Sequence, residues 1–517
     1  MALLHRVATV GGYTAVSRVL GFAREVLTAA FLGAGPVADA FVVALRLPNL
    51  FRSLFAEGAF SAAFVPLFAG RVARDGRDAA RIFAEDALSF LLAALLVLVV
   101  AAELAMPWVV RAIAPGFAAE AERFALAVEL TRITFPYLAF ISLVALYGGV
   151  LNALDRFAAQ ASAPIILNLS LIAALLLFAD RFPTPGHALA WGVAVAGVLQ
   201  FLWLAVAAAR AGVPLGLPRP RLTPETVRLL RLMAPGVVGA GITQINLLVA
   251  TMLASLLPAG SIAHLYYADR LNQLPLGIVG IAVATVVLPQ LARELRSATP
   301  EVAHRTHGQG MALALVVTLP AALALAVLAH PIVRTLYERG QFGAEDTAAT
   351  AAALVAYAAG LPAFVLSRVV VVGFFAREDT RTPVRIAAVS FLVNAALTLL
   401  LMGPLGHVGV ALATTVAGWL SLAAMLLVLG RRGHFRPERT LLARLPRILA
   451  AALAMAATLA ALDWVLEPRL VEFGTVGRFA GLAILVLAGL GAYGAAALVT
   501  GALRPAEVRQ LLRRRRA

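Results

Sequence analysis

GHALAWGVAVAGVLQFLWLAVAAARAG, residues 186–212, holds no acid and no arginine before Arg210, and GHVGVALATTVAGWLSLAAMLLVLGRRG, residues 406–433, repeats its plan. The interval from Gly197 to Arg210 equals that from Gly418 to Arg431. As helices, both are long enough to cross a hydrocarbon core, which takes about 20 mainly apolar residues. The rest of the chain follows suit. Its 517 residues are 62% hydrophobic and 14% charged, with a mean hydropathy of +0.90. Ordinary soluble domains carry about 25% charged residues, and no globular core hides this much apolar surface, so lipid is the solvent for most of the chain.

Fourteen apolar stretches are readable, from residues 7–32, 37–68 and 84–104 through 445–465 and 479–500. The first holds Arg18, Arg24 and Glu25, too much charge for a cleaved signal peptide, and reads as a retained span. All 43 basic residues are arginine and the net charge is +16. Alternate connections, counting both ends, are arginine-rich. The intervening ones hold only Arg111, Arg123, Arg181, Arg334, Arg339, Arg469 and Arg478. By the positive-inside rule both termini are expected in the cytoplasm. Cysteine is absent, which excludes disulfides, thiolate metal sites and a cysteine nucleophile.

The opening pair of stretches belongs to a wider repeat. ALRL at 44–47 and Pro66 return as ADRL at 268–271 and Pro289. Offsets of about 221 to 224 residues relate spans one to six to spans seven to twelve in the same orientation, the pattern of a two-lobed transporter. The expected architecture is therefore an all-α polytopic membrane protein of 14 transmembrane helices. An N-lobe occupies 1–212, a C-lobe related by a pseudo-twofold repeat 213–433, and two appended helices with a basic tail 434–517.

Charge inside the bilayer costs about 2.5 to 3.5 kcal/mol per residue on insertion scales and marks function or pairing. In span two, Asp39, Arg46, Ser53 and Glu57 share a helical face, with Asn49 at its edge, Arg52 further round and Pro48 in the middle. Span eight repeats the arrangement with Asp269, Arg270, Gln273 and Pro275. Ion pairs that merely fix packing, Arg24 with Glu25 or Arg46 with Asp39, account for part of this. Arg46, Glu57, Arg132 and Arg368 read equally well as membrane-edge residues that snorkel. Arg18, Arg24, Arg52 and Arg270 leave a surplus of fixed cations, and planar guanidinium forks match phosphate oxygens in pairs. The expected substrate is anionic and phosphorylated.

Other motifs are thin. His304 and His307 lack partners at zinc spacing, so no metal and no cofactor is expected. Asn168-Leu169-Ser170 matches a glycosylation sequon but lies inside span five. No phosphate-cradling glycine loop is visible, so neither ATP-driven transport nor an enzyme is expected. The tail Arg513 to Arg516 reads as a topology and anionic-lipid signal rather than a nucleic-acid site.

SRVLGFAREVLTAAFLGAGPVADAF at 17–41, LPNLFRSLFAEGAFSAAFVP at 47–66 and YYADRL at 266–271 closely resemble the MurJ (MviN) family of lipid II flippases. That family belongs to the multidrug/oligosaccharidyl-lipid/polysaccharide exporter superfamily. The resemblance implies alternating-access transport of an undecaprenyl-diphosphate-linked peptidoglycan precursor to the outer leaflet of the bacterial inner membrane. It implies roles for Arg18, Arg24, Asp39, Arg52 and Arg270, to which the residue pattern adds Asn49 and Asp269, and a lipid-tail groove at spans thirteen and fourteen. Expected partners are lipid II and membrane lipids, the chain acting as a monomer or with cell-wall synthesis proteins. Positions similar to the sodium ligands of some relatives read Gln244 or Asn246, Asn394, Thr398 and Thr414, all neutral. The alternatives are a flippase for another polyprenyl-diphosphate oligosaccharide, a cation-coupled exporter, which should offer acids and aromatics instead, and a membrane scaffold, which needs no charged stripe.

Overall fold

The computed structural model describes residues 2–55, 59–282, 293, 300–436, 439–471 and 473–503. Glu57, the end of span eight at 283–292 and the arginines at 513–516 lie outside these residues. Every regular element described is helical. By contacts the chain divides into two compact units, residues 1–263 with 339–342, and residues 264–338 with 343–517.

The first unit contains α1 (Ala2–Leu32), α2 (Pro36–Phe55), α3 (Ala59–Leu104), α4 (Met106–Ile113), α5 (Ala121–Thr134), α6 (Tyr137–Ala153), α7 (Ala158–Phe178), α8 (Pro185–Arg210) and α9 (Pro224–Ala254). Its packing pairs α7 with α8, α3 with α6, α1 with α7 and α2 with α5. Residues 213–263 also pack here, α9 lying against α2 and α3. Phe60, Phe64, Phe68 and Phe83 form its aromatic core, with Phe64 stacked on the other three at 5.1, 5.7 and 5.6 Å. The sequence places span two near 37–68 and expects a basic loop to follow. Helix is described to Phe55 and again from Ala59, and it continues through the arginine-rich segment, interrupted at Gly76. Gly76 adopts φ 86°, a left-handed value at which a side chain is strained. Ion pairs one turn apart, Arg71 with Asp75 and Arg81 with Glu85, suit a helix that has left the hydrocarbon.

Pro48 sits inside α2 and cannot donate to the carbonyl of Ala44. The Thr134 hydroxyl, fully buried at the end of α5, donates to that oxygen at 3.0 Å. The proline thus stays in a membrane helix because its neighbour satisfies the group it orphans.

The second unit contains most of α10 (Ser261–Ala282), then α11 (Pro300–Val327), α12 (Ala329–Tyr337), α13 (Ala344–Ala358), α14 (Leu361–Phe375), α15 (Arg381–Arg431), α16 (Arg439–Val471) and α17 (Gly474–Val499). Met311, Leu315, Val365, Val369, Leu422, Leu429 and Ile448 build its main core across α11, α14, α15 and α16. Helix α15 holds two sequence stretches joined at Gly406, where φ is 56°. At its far end Arg432 donates to Asp379 at 2.6 Å. The Thr382 hydroxyl and N–H, together with Arg432, hold the Asp379 carboxyl well below the usual carboxylate range.

The repeated glycines have a common use. A methyl on Gly197 would lie 2.8 Å from Tyr137 Cδ2, and one on Gly418 would lie 2.5 Å from Phe364 Cε1. Each glycine lets an aromatic of a neighbouring helix press onto bare backbone, α6 onto α8 and α14 onto α15. Among the described residues nine helical segments are long and apolar enough to span a bilayer. Length and composition thus make the molecule a multi-pass membrane protein.

Candidate functional site

The cations expected to serve the substrate fall into separate groups. Arg18 and Arg24 lie on α1, Asn49 and Arg52 on α2, all in the first unit, while Asp269 and Arg270 lie on α10 in the second. Arg18 is exposed and Arg24 half-buried. Arg24 pairs with Glu25 and donates through Nη1 to Asn168 Oδ1 at 3.0 Å. The Asn168 amide in turn donates to the Ser17 carbonyl at 3.0 Å, so α7 holds α1 at two levels. The guanidinium is thereby fixed in direction, which lowers the entropic cost of meeting an anion.

On α2 the turn after Pro48 carries Asn49 and Arg52, whose Nε donates to Asn49 Oδ1 at 3.4 Å. On α10 the turn before Pro275 carries two pairs one turn apart. Gln273 donates to Asp269 Oδ2 at 2.5 Å, and the Arg270 guanidinium sits 4.8 Å from the centre of the Tyr266 ring. Both helices thus place a proline within a turn of fixed polar groups, although Pro275 follows Pro48 by 227 residues where ADRL follows ALRL by 224. Aromatic backing orients Arg270 without neutralising it.

Asp39 is placed differently. It is fully buried, and Arg123 Nη2 donates to its Oδ2 at 2.5 Å. The N–H groups of Gly260 and Ala263, at the first turn of α10, donate to it at 2.7 Å each. Arg123 is itself 3% exposed and lies 4.0 Å from the centre of the Phe117 ring. The packing pair suggested by sequence, Arg46 with Asp39, gives way to Arg123 because Asp39 is at the opposite end of α2 from Pro48 and faces α5. Arg123 reads in sequence as a residue of an arginine-poor connection, yet it lies in the first turn of α5. The signal was there: a lone arginine where the topology rule leaves few, and a buried-span acid in need of one.

Asn168 and Thr134 were also missed as working residues. Asn168 is visible as a polar side chain in an apolar span, and the structure uses its amide rather than its sequon. Of the positions similar to sodium ligands, Asn394 and Thr398 are buried on α15, Gln244 donates to Ser53 at 2.7 Å, and Thr414 returns its hydroxyl to the Val410 carbonyl.

Residues 28–475 match the family described as lipid II flippase MurJ. A probable lipid II flippase MurJ of Rhizobium meliloti (strain 1021) is 46% identical over 99% of this chain and 97% of its own. A solved lipid II flippase MurJ, in an inward closed conformation, superposes with a TM-score of 0.78 at 26% identity, covering 95% of this chain and 98% of that one. An inward-facing multidrug resistance MATE transporter of the MOP superfamily shares the fold, with a TM-score of 0.66 at 15% identity over 81% of this chain and 94% of its own. The family match takes in Asp39, Asn49, Arg52, Asp269 and Arg270, and the full-length relative extends the likeness through the helix that carries Arg18 and Arg24, so the chain belongs to the MurJ family of lipid II flippases.

Proposed function

We propose that this protein is a lipid II flippase, moving the polyprenyl-diphosphate-linked peptidoglycan precursor from the cytoplasmic to the periplasmic leaflet by alternating access. The observation that carries the reading is the near full-length likeness to lipid II flippases, which takes in the helices that carry Arg24, Arg52 and Arg270. Arg18, Arg24 and Arg52 of the first unit and Arg270 of the second serve the diphosphate and headgroup. Asn49 and Asp269 orient Arg52 and the α10 turn. Asp39 acts through structure, holding Arg123 and the start of α10. A cation-coupled exporter is not favoured, because the chain matches the lipid II flippase family over residues 28–475, while its likeness to a MATE transporter stands at 15% identity and shows the fold alone.

The finer assignments are part of the same proposal. The repeat 1–212 and 213–433 supplies two lobes, and 434–517 supplies the lipid-tail groove and a basic cytoplasmic end. Both termini face the cytoplasm, from the arginine asymmetry, and the chain works as a monomer that meets cell-wall synthesis proteins. Cells depleted of their own flippase test the function. The chain should restore growth and shape, while Arg24→Ala and Arg270→Ala at equal abundance should not. Failure of the intact, membrane-inserted chain to restore growth overturns the reading.

A further inference from the structure

One cavity in the first unit belongs to none of these groups. It has a volume of about 410 Å³ and lies where the end of α6, the start of α7 and the last turns of α8 meet, with Leu151, Phe157 and Val206 as apolar wall and Arg156 and Arg210 among its lining. That size is within the range of small-molecule sites, about 300 to 1,000 Å³. Trp203 also lines it, its ring half exposed and its Nε1 donating to Ser162 Oγ at 2.9 Å. An indole with one polar anchor and an apolar face is the side chain of the headgroup level. Arg156 and Arg210 are both exposed, and among the described residues neither side chain has a hydrogen bond or ion pair with protein. Asp155 is the one acid in the lining and has a partner of its own, so the site remains net cationic.

Below the cavity, Val206, Leu202, Leu199 and Val195 of α8 are all exposed, at intervals of four, three and four residues. That spacing draws one apolar stripe running from the cavity toward the middle of the helix. A guanidinium pair above an apolar track matches one kind of molecule. We propose that this cavity binds the phosphodiester of an anionic phospholipid such as phosphatidylglycerol, with its acyl chain along the α8 stripe. Two guanidinium groups supply charge-assisted hydrogen bonds to the phosphate, which a zwitterionic lipid answers less well because its ammonium meets the same positive rim. The site is separate from the substrate groups. With both termini in the cytoplasm, as proposed above, the last turns of α8 and the cavity fall in the cytoplasmic leaflet.

The test is native mass spectrometry of the purified full chain titrated with phosphatidylglycerol or phosphatidylethanolamine. The tightest phosphatidylglycerol equivalent should weaken about tenfold, equal to about 1.4 kcal/mol, in the double variant Arg156→Ala with Arg210→Ala. Arg219→Ala with Arg221→Ala, exposed arginines outside the cavity, should stay within about twofold of the parent. If the alanine pair does not fold, Arg156→Gln with Arg210→Gln reads the same loss with the side-chain volume kept. Equal affinity for both lipids in the parent, an unchanged first equivalent in the cavity variant, or an equal loss in the control pair each overturns the proposal. None of these outcomes depends on flippase activity or on orientation, which the complementation and labelling experiments read separately.

Discussion

At the scale of single residues, two ion pairs on neighbouring helices do different work. Asp39 and Arg123 are both sequestered, and removing one partner strands a buried charge, which costs about 3 to 5 kcal/mol. Arg123→Ala should therefore lower the thermal midpoint and the abundance of the protein, and Asp39→Asn should do so in the same direction. Arg24 keeps 19% of its side chain exposed and Glu25 8%, so Arg24→Ala also takes a cation from a buried carboxylate and should lower stability. Arg18→Ala and Arg270→Ala should leave abundance close to normal, and all three alanine variants should cost about 1.5 to 3 kcal/mol of headgroup affinity, the range for a hydrogen bond to a charged group. Lysine should rescue only partly, since it keeps the charge and loses the planar fork. Binding of labelled lipid II to purified variants of matched monodispersity separates the two sets. Normal affinity in Arg24→Ala would remove that residue from the site.

At the scale of elements, the proline of α2 and the repeated glycines make predictions that a list of spans does not. Thr134→Val leaves the Ala44 carbonyl without its donor and should cost about 1 to 3 kcal/mol, the price of a buried unsatisfied group. Pro48→Ala restores the backbone donor, so in that background Thr134→Val should cost less. A double-mutant cycle by unfolding in detergent shows the coupling, and additive losses would mean the Thr134 bond is incidental. Gly197→Ala and Gly418→Ala each force an aromatic ring off its helix and should destabilise by about 1 to 3 kcal/mol, as overpacked cores do. The sequence made the glycines legible through their repeat and the spans through hydropathy. It did not make legible that helix runs on from Ala59 through the arginine-rich segment to a kink at Gly76, because a run of arginines after a span reads as a loop, nor that Thr134 repairs Pro48, because the two are far apart in the chain. Arg18, Arg24, Asn49, Arg52, Asp269 and Arg270 were readable as charged or polar groups in lipid. The partner of Asp39 was not, since an acid's partner is chosen by tertiary packing and hydropathy carries no trace of it.

At the scale of the whole molecule, orientation and energy remain to be measured together. The chain lacks cysteine, so single cysteines report alone. With an impermeant maleimide added from the periplasmic side, Glu345→Cys should label and Arg219→Cys should not, both positions being exposed. The reverse pattern contradicts the arginine-based orientation. With no nucleotide motif and neutral residues at the sodium-like positions, the membrane potential is the expected bias. An anionic headgroup moving outward runs down a field negative inside, worth about 2.3 kcal/mol per elementary charge per 100 mV. Collapsing the potential at constant ion gradients should slow net outward transport, and an unchanged rate would transfer the drive to a proton or sodium ion.

Reconstitution shows whether fixed arginines move a lipid-linked diphosphate across the membrane. Labelled lipid II is placed in the inner leaflet of proteoliposomes of known protein orientation, and its appearance in the outer leaflet is followed under an applied potential. Transport is expected from the parent chain and from Arg219→Ala, and little or none from Arg24→Ala or Arg270→Ala. Equal transport by all four, or none by the folded parent chain, would contradict that role for the arginines.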